Sequence, residues 1–469
     1  MLSVVPIRAP LEVAVTVRRF VPVVSVCLIV VASVGAWAQG VQPYPDAFTD
    51  QKVHPKTPMA PPPINAVFQD PDFGALMVRV TDENTNPKDL HSYFRNPVSE
   101  TTAWSADGRK FFLVGEERNV LAFSFETSTM VISALPGAGT GGGFTIPLYA
   151  PPTFSFVDPD LVYGTMAGAP LTIATFRFST GAVTPLIDTT TCGMQPPLMA
   201  GLHVHSSDIS ISADDNRIEI NAGGNQPGNR IFSIVYDKEL GCRWYNTQTG
   251  QIGGSWGPTG QAVVPENFEI NHAYISGSGQ YIKLDAGRKG YYVWDTTSLN
   301  VQPCYSHGGP HCNGYNSLGY DTLINSAGFI DEMNTLRRPL SDLTNFIQLV
   351  SPLLPHLWGM DIHFTWSGGH LNNNVPVCGS AYSFDGQNEV KQPYDGEIFC
   401  IETDLVVSST VWRFAHHRAT WDDEYYWSEP FGNVSLDGRF LLFSSSWDGQ
   451  VGTNKDGDPR SDVWIVKLD

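Results

Sequence analysis

Positive charge is scarce in this sequence. Lysine and arginine number 28 against 47 aspartates and glutamates, which gives a formal net charge of −19 at pH 7. An acidic surface repels phosphate backbones, so the composition argues against a nucleic-acid partner. The sequence also lacks a Walker-type phosphate loop, because its glycine-rich stretch at 137–143 does not lie between a strand pattern and a helix pattern. Nucleotide binding therefore has little support.

Helix-forming residues do not dominate the chain either. Glycine (44), proline (34) and aromatic residues (12%) are plentiful, as expected of many short strands joined by tight turns. Charged residues make up only 16% of the chain, which leaves enough apolar material for a large core. The composition therefore predicts a globular, all-β protein.

Only the N-terminus carries a long apolar run, Phe20–Val34. It has the order of a secretory signal, since arginines precede it and a small-x-small triplet follows it: Arg8, Arg18, Arg19 and Ala36-Trp37-Ala38. We predict cleavage after Ala38 and a secreted or periplasmic protein with no integral membrane segment. The alternative is a single membrane anchor, although about 15 apolar residues are short for a span that needs about 20.

No Cys-x-x-Cys spacing occurs, so a metal site built from thiolates has little support. Seven cysteines are present, and one of them lies in the predicted signal. An even number in an oxidising compartment predicts disulfides. The order of the remaining six favours three pairs along the chain: Cys192–Cys242, Cys304–Cys312 and Cys378–Cys400.

A repeated unit fills most of the chain: an apolar strand, an Asp-Gly turn or a variant of it, and a second apolar strand. The clearest copies lie at 102–112 and 432–443, and weaker copies begin at residues 154, 209, 273, 314 and 375. This spacing is typical of four-stranded blades and predicts a single β-propeller of seven blades. Six blades remain an alternative, because the segment 335–352 has no clear place in the repeat.

Such a ring must close on itself. The segment Gly74–Asp82 has the pattern of a lone strand before the first hairpin, whereas the last unit ends with its third strand at Asp462–Leu468. We predict that the N-terminal strand completes the last blade. The expected organisation is a signal peptide at 1–38, an extended proline-rich arm at 39–66 and a propeller at 67–469, present as a monomer.

Twelve histidines stand out in a chain that is poor in lysine. In a propeller, the segments ahead of the inner strands converge on one end of the central channel, where imidazoles could bind a metal or act as a base. Each histidine also has a simpler interpretation as a hydrogen-bonded structural residue. Those placed near proposed strand starts are His91, His203, His205, His272, His311, His363, His416 and His417.

Arginines and aromatic residues accompany the histidines. Guanidinium groups suit the carboxylates of sugar acids, and flat aromatic faces suit pyranose rings. Tryptophan and tyrosine also fill the gaps between blades, so both interpretations stay open. The candidates for substrate binding are Tyr93, Tyr274, Trp366, Trp421 and Arg418, with Arg95 and Arg288 as candidate carboxylate clamps.

The region 69–125 carries a family resemblance in Asp72-Phe73-Gly74, Val78–Thr81, His91–Phe94 and the Ser105–Lys110 hairpin. The stretch 417–446 is similar too. These segments resemble the oligogalacturonate lyase family of seven-bladed, TolB-like propellers. The resemblance implies β-elimination, in which a base removes the proton α to a uronate carboxylate while a metal and an arginine neutralise that carboxylate.

The resemblance also implies a metal site. The family's Gln-x-x-His-x-His motif corresponds here to Tyr426–Phe431, where only Glu429 could ligate. A divalent cation, manganese or calcium, would then need histidines from a neighbouring blade. The candidate metal ligands are His363, His416, His417 and Glu429.

Three functions stay open at this point, and two of them are enzymatic. The first is a polysaccharide lyase acting on uronate-containing oligosaccharides, with His205 or His272 as the base and Arg95 or Arg288 as the clamp. The second is a non-catalytic propeller that binds a glycan or a protein at its channel face. The third is a glycoside hydrolase with paired carboxylates, because acidic residues also stand near strand starts: Asp208, Glu269, Asp361 and Asp422.

Overall fold

The repeated hairpins form seven antiparallel sheets arranged as the blades of a propeller, as predicted. The structure, a computed structural model, describes residues 43–469 except 86–92, 95–100, 116–118, 195–208, 224–229, 263–266, 305–315, 327–334, 351–359, 384–389, 391, 405–408, 421–428, 455–456 and 458. For residues 93, 94, 150, 288, 326, 360, 361 and 383 it describes the backbone alone.

The chain begins its sheets with two strands of the last blade and then builds blades 1 to 3. The first two strands are β1 (Val67–Gln69) and β2 (Leu76–Arg79). Blade 1 contains β3 (Tyr93–Phe94), β4 (Lys110–Gly115), β5 (Val120–Glu126), β6 (Val131–Ser133) and β7 (Phe144–Thr145). Blade 2 contains β8 (Leu148–Phe154), β9 (Leu161–Met166), β10 (Ala169–Arg177) and β11 (Ala182–Asp188). Blade 3 contains β12 (Ile209–Ile211), β13 (Arg217–Gly223), β14 (Arg230–Asp237), β15 (Gly241–Asn246), β16 (Gln251–Gly254) and β17 (Gly260–Gln261).

Blades 4 to 7 complete the ring. Blade 4 contains β18 (His272–Ile275), β19 (Tyr281–Asp285), β20 (Tyr291–Asp295) and β21 (Val301–Pro303). Blade 5 contains β22 (Asn316–Leu318), β23 (Thr322–Ser326), β24 (Thr335–Pro339) and β25 (Ile347–Gln348). Blade 6 contains β26 (Met360–Thr365), β27 (Val377–Ser383), β28 (Glu397–Ile401) and β29 (Val411–His416). Blade 7 adds β30 (Gly432–Val434), β31 (Phe440–Ser445) and β32 (Asp462–Lys467) to β2 and β1.

The first strand of each blade lies at the centre of the ring, since β8 contacts β12, β12 contacts β18, and β26 contacts both β22 and β30. The described residues contain no α-helix, only three short 3₁₀ turns: η1 (Thr189–Thr191), η2 (Gly287–Lys289) and η3 (Ser367–His370). No helix in this part of the chain is long and apolar enough to cross a membrane.

The weaker repeats predicted to begin at residues 314 and 375 belong to blades 5 and 6. Strands β24 and β25 occupy the unassigned segment 335–352, so the six-bladed alternative is wrong. The repeat predicted to start at residue 375 is β27, and blade 6 begins earlier, with β26. The chain passes from β26 to β27 through η3 rather than through an Asp-Gly turn, which is why the sequence pattern missed this inner strand.

Left-handed residues shape the first hairpin of several blades. Gly108 and Gly438 adopt φ angles of 68° and 73°. In blade 3 the same place is taken by Asp215 at φ 60°, a conformation that costs a non-glycine residue roughly 1–2 kcal/mol. Its carboxylate offsets this by accepting hydrogen bonds from Ser155 Oγ (2.5 Å) and the Phe156 backbone N–H (3.0 Å) of blade 2. The turn thereby joins two neighbouring blades.

The hydrophobic core lies in the clefts between blades. One cluster joins Phe440 of blade 7, Phe111 of blade 1 and Phe154 of blade 2. Another joins Trp412 of blade 6 to Trp464 of blade 7. Because each sheet buries both of its faces against neighbours, the strands are apolar on both sides rather than alternating with solvent.

Two of the three predicted disulfides are present. Cys192–Cys242 ties the segment after blade 2 to the fourth strand of blade 3, and Cys378–Cys400 links β27 to β28. Cys304 is also disulfide-bonded, while its predicted partner Cys312 lies outside the described residues.

The ring closes where β2 pairs with β32, as predicted. A buried ion pair fixes this joint, with Arg79 Nη2 2.5 Å from Asp462 Oδ2. The Asp462 carboxylate has no exposed surface and also accepts a hydrogen bond from Thr81 Oγ1 at 3.1 Å. Arg460 Nη2 approaches the same carboxylate at 3.2 Å. Four polar groups from both ends of the chain therefore meet at one buried point.

Residues 44–66, which fall within the predicted arm, lie against the outer strands of blades 6 and 7. Tyr44 donates its hydroxyl to the Gly438 carbonyl at 3.0 Å, and Phe48 pairs with Arg413 of β29. The Arg413 guanidinium is fully buried. It donates hydrogen bonds to both carboxylate oxygens of Glu397 and to the Asp50 carboxylate at 3.0 Å. The arm is therefore anchored by a buried charge.

The segment 366–375, which we call the plug, lies against the first hairpins of several blades. Its residue His370 is 1% exposed and stacks on Phe156 of blade 2, with the ring centroids 4.9 Å apart. The imidazole Nδ1 donates to the Leu318 carbonyl of blade 5 at 3.3 Å, and carbonyls at the ends of β12 and β18 face the ring. One side chain thus touches four blades.

Replacing Asp462 with alanine should destabilise the protein strongly. Two guanidinium groups would remain buried without their carboxylate, a change that costs about 3–5 kcal/mol. Arg439–Asp469 is a matched surface pair, with side chains 41% and 30% exposed, and Asp469→Ala should cost less than about 1 kcal/mol. Denaturant unfolding measures the free energy of unfolding of both variants. Equal losses would contradict the claim that the buried ion pair stabilises the protein more than a surface pair does.

Stability should fall with acid through His370, because burial lowers its pKa to about 4. An unfolded histidine protonates below about pH 6.5 while the folded one does not, so the free energy of unfolding falls by up to about 1.4 kcal/mol per pH unit between these values. The His370→Gln variant lacks this proton uptake. Denaturant unfolding from pH 7.5 to 4.5 should therefore show a shallower slope for the variant, and parallel slopes would contradict the assignment.

Candidate functional site

A buried histidine–glutamate pair joins the inner strands of blades 6 and 7. His363 lies within β26, and Glu429 lies just ahead of β30. Their Nε2 and Oε2 atoms are 2.7 Å apart, with His363 3% and Glu429 6% exposed. The rings of Tyr382 and Phe431 flank the imidazole, with centroids 5.3 and 4.5 Å from it. Two of the four predicted metal ligands therefore meet directly.

Two hydrogen bonds join blades 6 and 7 around this pair. Ser380 Oγ donates to the Pro430 carbonyl, next to Glu429. The Val434 backbone N–H donates to Thr365 Oγ1 at 3.0 Å. Ser380 and Tyr382 are two residues apart in β27, so their side chains lie on the same face of the strand. Strand β27 therefore supplies both the hydroxyl bonded to Pro430 and the ring stacked on His363.

His416 and His417 lie at the end of the outer strand β29, not ahead of an inner strand as expected. The fourth strand of an antiparallel blade ends on the side where the first strand begins. The two histidines therefore lie at the predicted end of the blade, but on its outer strand rather than near the ring axis. The His416 backbone N–H donates to Asp70 Oδ2 at 3.2 Å, and its Nε2 lies 3.8 Å from Asp72 Oδ2. Burial lowers the pKa of His416 to about 4, although the Asp72 carboxylate opposes the shift.

Backbone groups engage both ring nitrogens of His417. Its Nε2 donates to the Ala381 carbonyl at 2.8 Å, and its Nδ1 accepts from the Ala419 backbone N–H at 3.0 Å. Burial lowers the pKa of His417 to about 3, so the ring is neutral in the folded protein.

The described donors do not complete a metal site. In the part of the chain that the structure covers, no three His, Cys, Asp or Glu side chains are grouped so that they could hold a metal ion. His363 and Glu429 have donor chemistry that suits manganese, but the nitrogens of His417 are engaged elsewhere and His416 lies beside Asp72. The described residues therefore do not form a metal site by themselves, and the proposed reaction uses no metal.

A second cluster lies at the mouth of the channel on blade 4. His272 begins the inner strand β18, is half-buried, and stands opposite Asp285 of β19. Arg230 of blade 3 donates through Nη1 to the Asn271 carbonyl, next to His272. Lys289 lies in the turn that follows β19. The Lys289 ammonium donates to the Asn267 carbonyl at 2.7 Å, so two cations contact the backbone of the segment 267–271 that leads into His272.

Three of the predicted substrate-binding side chains are buried. Tyr274 and Trp366 are each 1% exposed, and Trp366 lies in the plug with its Nε1 donating to the Val375 carbonyl at 2.8 Å. Arg418 is also 1% exposed, and its Nη2 donates to the Thr57 carbonyl of the arm at 2.8 Å. Their burial favours the alternative stated from the sequence, in which such side chains fill the space between blades.

Several other candidates lie beyond what the structure describes. Tyr93 is the first residue of β3 and Arg288 lies in η2, but neither side chain is described. Outside the described residues are Arg95, His205 and Trp421, together with His91, His203 and His311. Their roles stay predictions.

Sequence reasoning left Tyr382, Lys289 and Asp72 out of the site. Tyr382 follows Ser380 by two residues in an apolar strand pattern, so the alternation of side chains was the available signal. The position of Asp72 beside His416 had no local signal, because it depends on ring closure.

Comparison with known proteins supports the architecture. No protein-family model matches the chain, and no curated protein does. A solved oligogalacturonate lyase in complex with manganese is 14% identical with a TM-score of 0.51, covering 86% of this chain and 96% of that one. An oligogalacturonate lyase from Vibrio parahaemolyticus is 12% identical with a TM-score of 0.50 and the same coverage.

The chain resembles the oligogalacturonate lyases in fold. This confirms the resemblance predicted from 69–125 and 417–446. At such low identity the likeness establishes the fold alone.

Proposed function

We propose that this protein is an exported, carbohydrate-active propeller that cleaves uronate-containing oligosaccharides by β-elimination. The observation that carries the proposal is His272, a partly buried histidine at the start of an inner strand, with Asp285 opposite it and with Arg230 and Lys289 bonded to the segment that leads into it. The fold adds support, because two solved proteins that share it are oligogalacturonate lyases.

The chemistry needs a base beside a cationic pocket. A neutral imidazole at His272 takes the proton from the carbon α to the uronate carboxylate, and the electron pair moves onto that carboxylate. The pair then returns to form a carbon–carbon double bond while the bond to the β oxygen breaks, and the leaving oxygen takes up a proton from water. Guanidinium and ammonium groups at Arg230 and Lys289, with Arg288 of the same turn, stabilise the charge that builds up on the carboxylate.

The sequence leaves further groups for the same reaction. His205 is an alternative base and Arg95 an alternative clamp, and both lie outside the described residues. The His363–Glu429 pair is too buried to touch substrate directly, so we place it behind the pocket as a structural support.

Incubation with oligomers of polygalacturonate, ulvan and glucuronan should produce the ultraviolet absorbance of unsaturated uronates. Because a positioned general base typically contributes 10²–10⁴-fold, His272→Ala should lower kcat/KM by about that factor. His54→Ala is the matched control, since His54 lies on the arm and pairs with Asp50 there. Parallel reactions with a chelator and with added manganese measure any dependence on metal.

Absence of unsaturated product from every uronate oligomer would refute the lyase proposal. Reducing sugar released without absorbance would point instead to the glycoside hydrolase. Tight glycan binding without any product would favour the non-catalytic propeller.

Export rests on the N-terminal pattern, and the two disulfides are compatible with an oxidising compartment. We propose a signal at 1–38, an arm at 39–66 and a propeller at 67–469, secreted or periplasmic. Mass spectrometry of the protein from an exporting host should find a chain that starts at Gln39, and Ala38→Leu should block this cleavage. An intact N-terminus held in the membrane fraction would favour the membrane anchor.

A further inference from the structure

His417 makes three hydrogen bonds to backbone groups at the end of blade 6. Its own N–H donates to the Gly396 carbonyl at 2.9 Å. Its Nδ1 accepts from Ala419 and its Nε2 donates to Ala381. The residue is 2% exposed, so water does not compete for these bonds. The imidazole therefore links the segment after β29, where the chain leaves blade 6, to strand β27.

The partners determine which ring nitrogen carries the proton. A backbone N–H can only donate, so Nδ1 of His417 must be unprotonated. A carbonyl can only accept, so Nε2 must carry the proton. Neither nitrogen is then available to bind a metal, which separates His417 from the ligand role that the sequence predicts for it.

The carbonyl that His417 holds belongs to Ala381, which lies between two residues of β27: Ser380, bonded to the neighbour of Glu429, and Tyr382, stacked on His363. The Ala381 carbonyl accepts from His417 Nε2 and from the Gly396 N–H at 3.0 Å. A shift of Ala381 would move both contacts together.

We infer that His417 is a positioning residue: as the Nε2–H tautomer it fixes β27 at Ala381, so that Ser380 and Tyr382 hold His363 against Glu429. The tautomer of His417 and the environment of His363 do not depend on the proposed function.

The first measurement is the tautomer of His417 in the unaltered protein, read by NMR with isotope-labelled histidine near pH 7. The expected signal is a neutral ring with its proton on Nε2. His370 provides an internal contrast, because its Nδ1 faces the Leu318 carbonyl and should carry the proton instead. A proton on Nδ1 of His417, or a doubly protonated ring, would overturn the inference.

The second measurement compares His417→Gln with His417→Leu. Glutamine keeps one donor and one acceptor, whereas leucine keeps the approximate volume and removes both. The leucine variant should shift the imidazole signals of His363, because the Ala381 carbonyl loses the donor that fixes its position. The glutamine variant should restore most of the original signals.

His370→Gln is the control for a purely structural effect. It also removes a buried imidazole, but in the plug, so it should lower stability and leave the His363 signals unchanged. If His417→Leu leaves the His363 signals unchanged, the inference is wrong even when the lyase reaction is found. If no substrate is cleaved, the two NMR readouts still decide the role of His417, and the tautomer does so even if the leucine variant does not fold.

Discussion

Closure of the ring between β2 and β32 is the constraint on which the rest of the molecule depends. Blades bury their faces only against one another, so an open joint would expose the clefts on both sides of it. The Arg79–Asp462 ion pair that holds the joint connects residues 383 positions apart in the chain. The same closure brings Asp70, which precedes β2, to the backbone of His416 in blade 6. The candidate site on blades 6 and 7 is therefore assembled from both ends of the sequence.

Local turn chemistry made most of the fold predictable. The Asp-Gly hairpins at 102–112 and 432–443 repeat at blade spacing, and the lone strand pattern at Gly74–Asp82 left an obvious partner for the last blade. Blade 6 was placed late because its first hairpin has no such turn and passes through η3 instead. Blade 5 was incomplete because its outer strands β24 and β25 carry no apolar repeat pattern, and β25 is only two residues long.

The site was predictable in its residue types but not in its contacts. Histidines near strand starts indicated one end of the ring, and His272 and His363 lie on inner strands there. The pairing of His363 with Glu429 spans 66 residues and depends on how two blades pack. His417 shows the limit most clearly, because an imidazole bonded to two backbone groups has the same sequence signature as one that binds a metal.

The plug joins blades that do not pair with one another. Each blade is a separate sheet, yet His370 contacts residues of blades 2, 3, 4 and 5 from one position. Since the plug itself belongs to blade 6, five of the seven blades share the packing around one imidazole. Loss of that side chain would therefore loosen several blades at once.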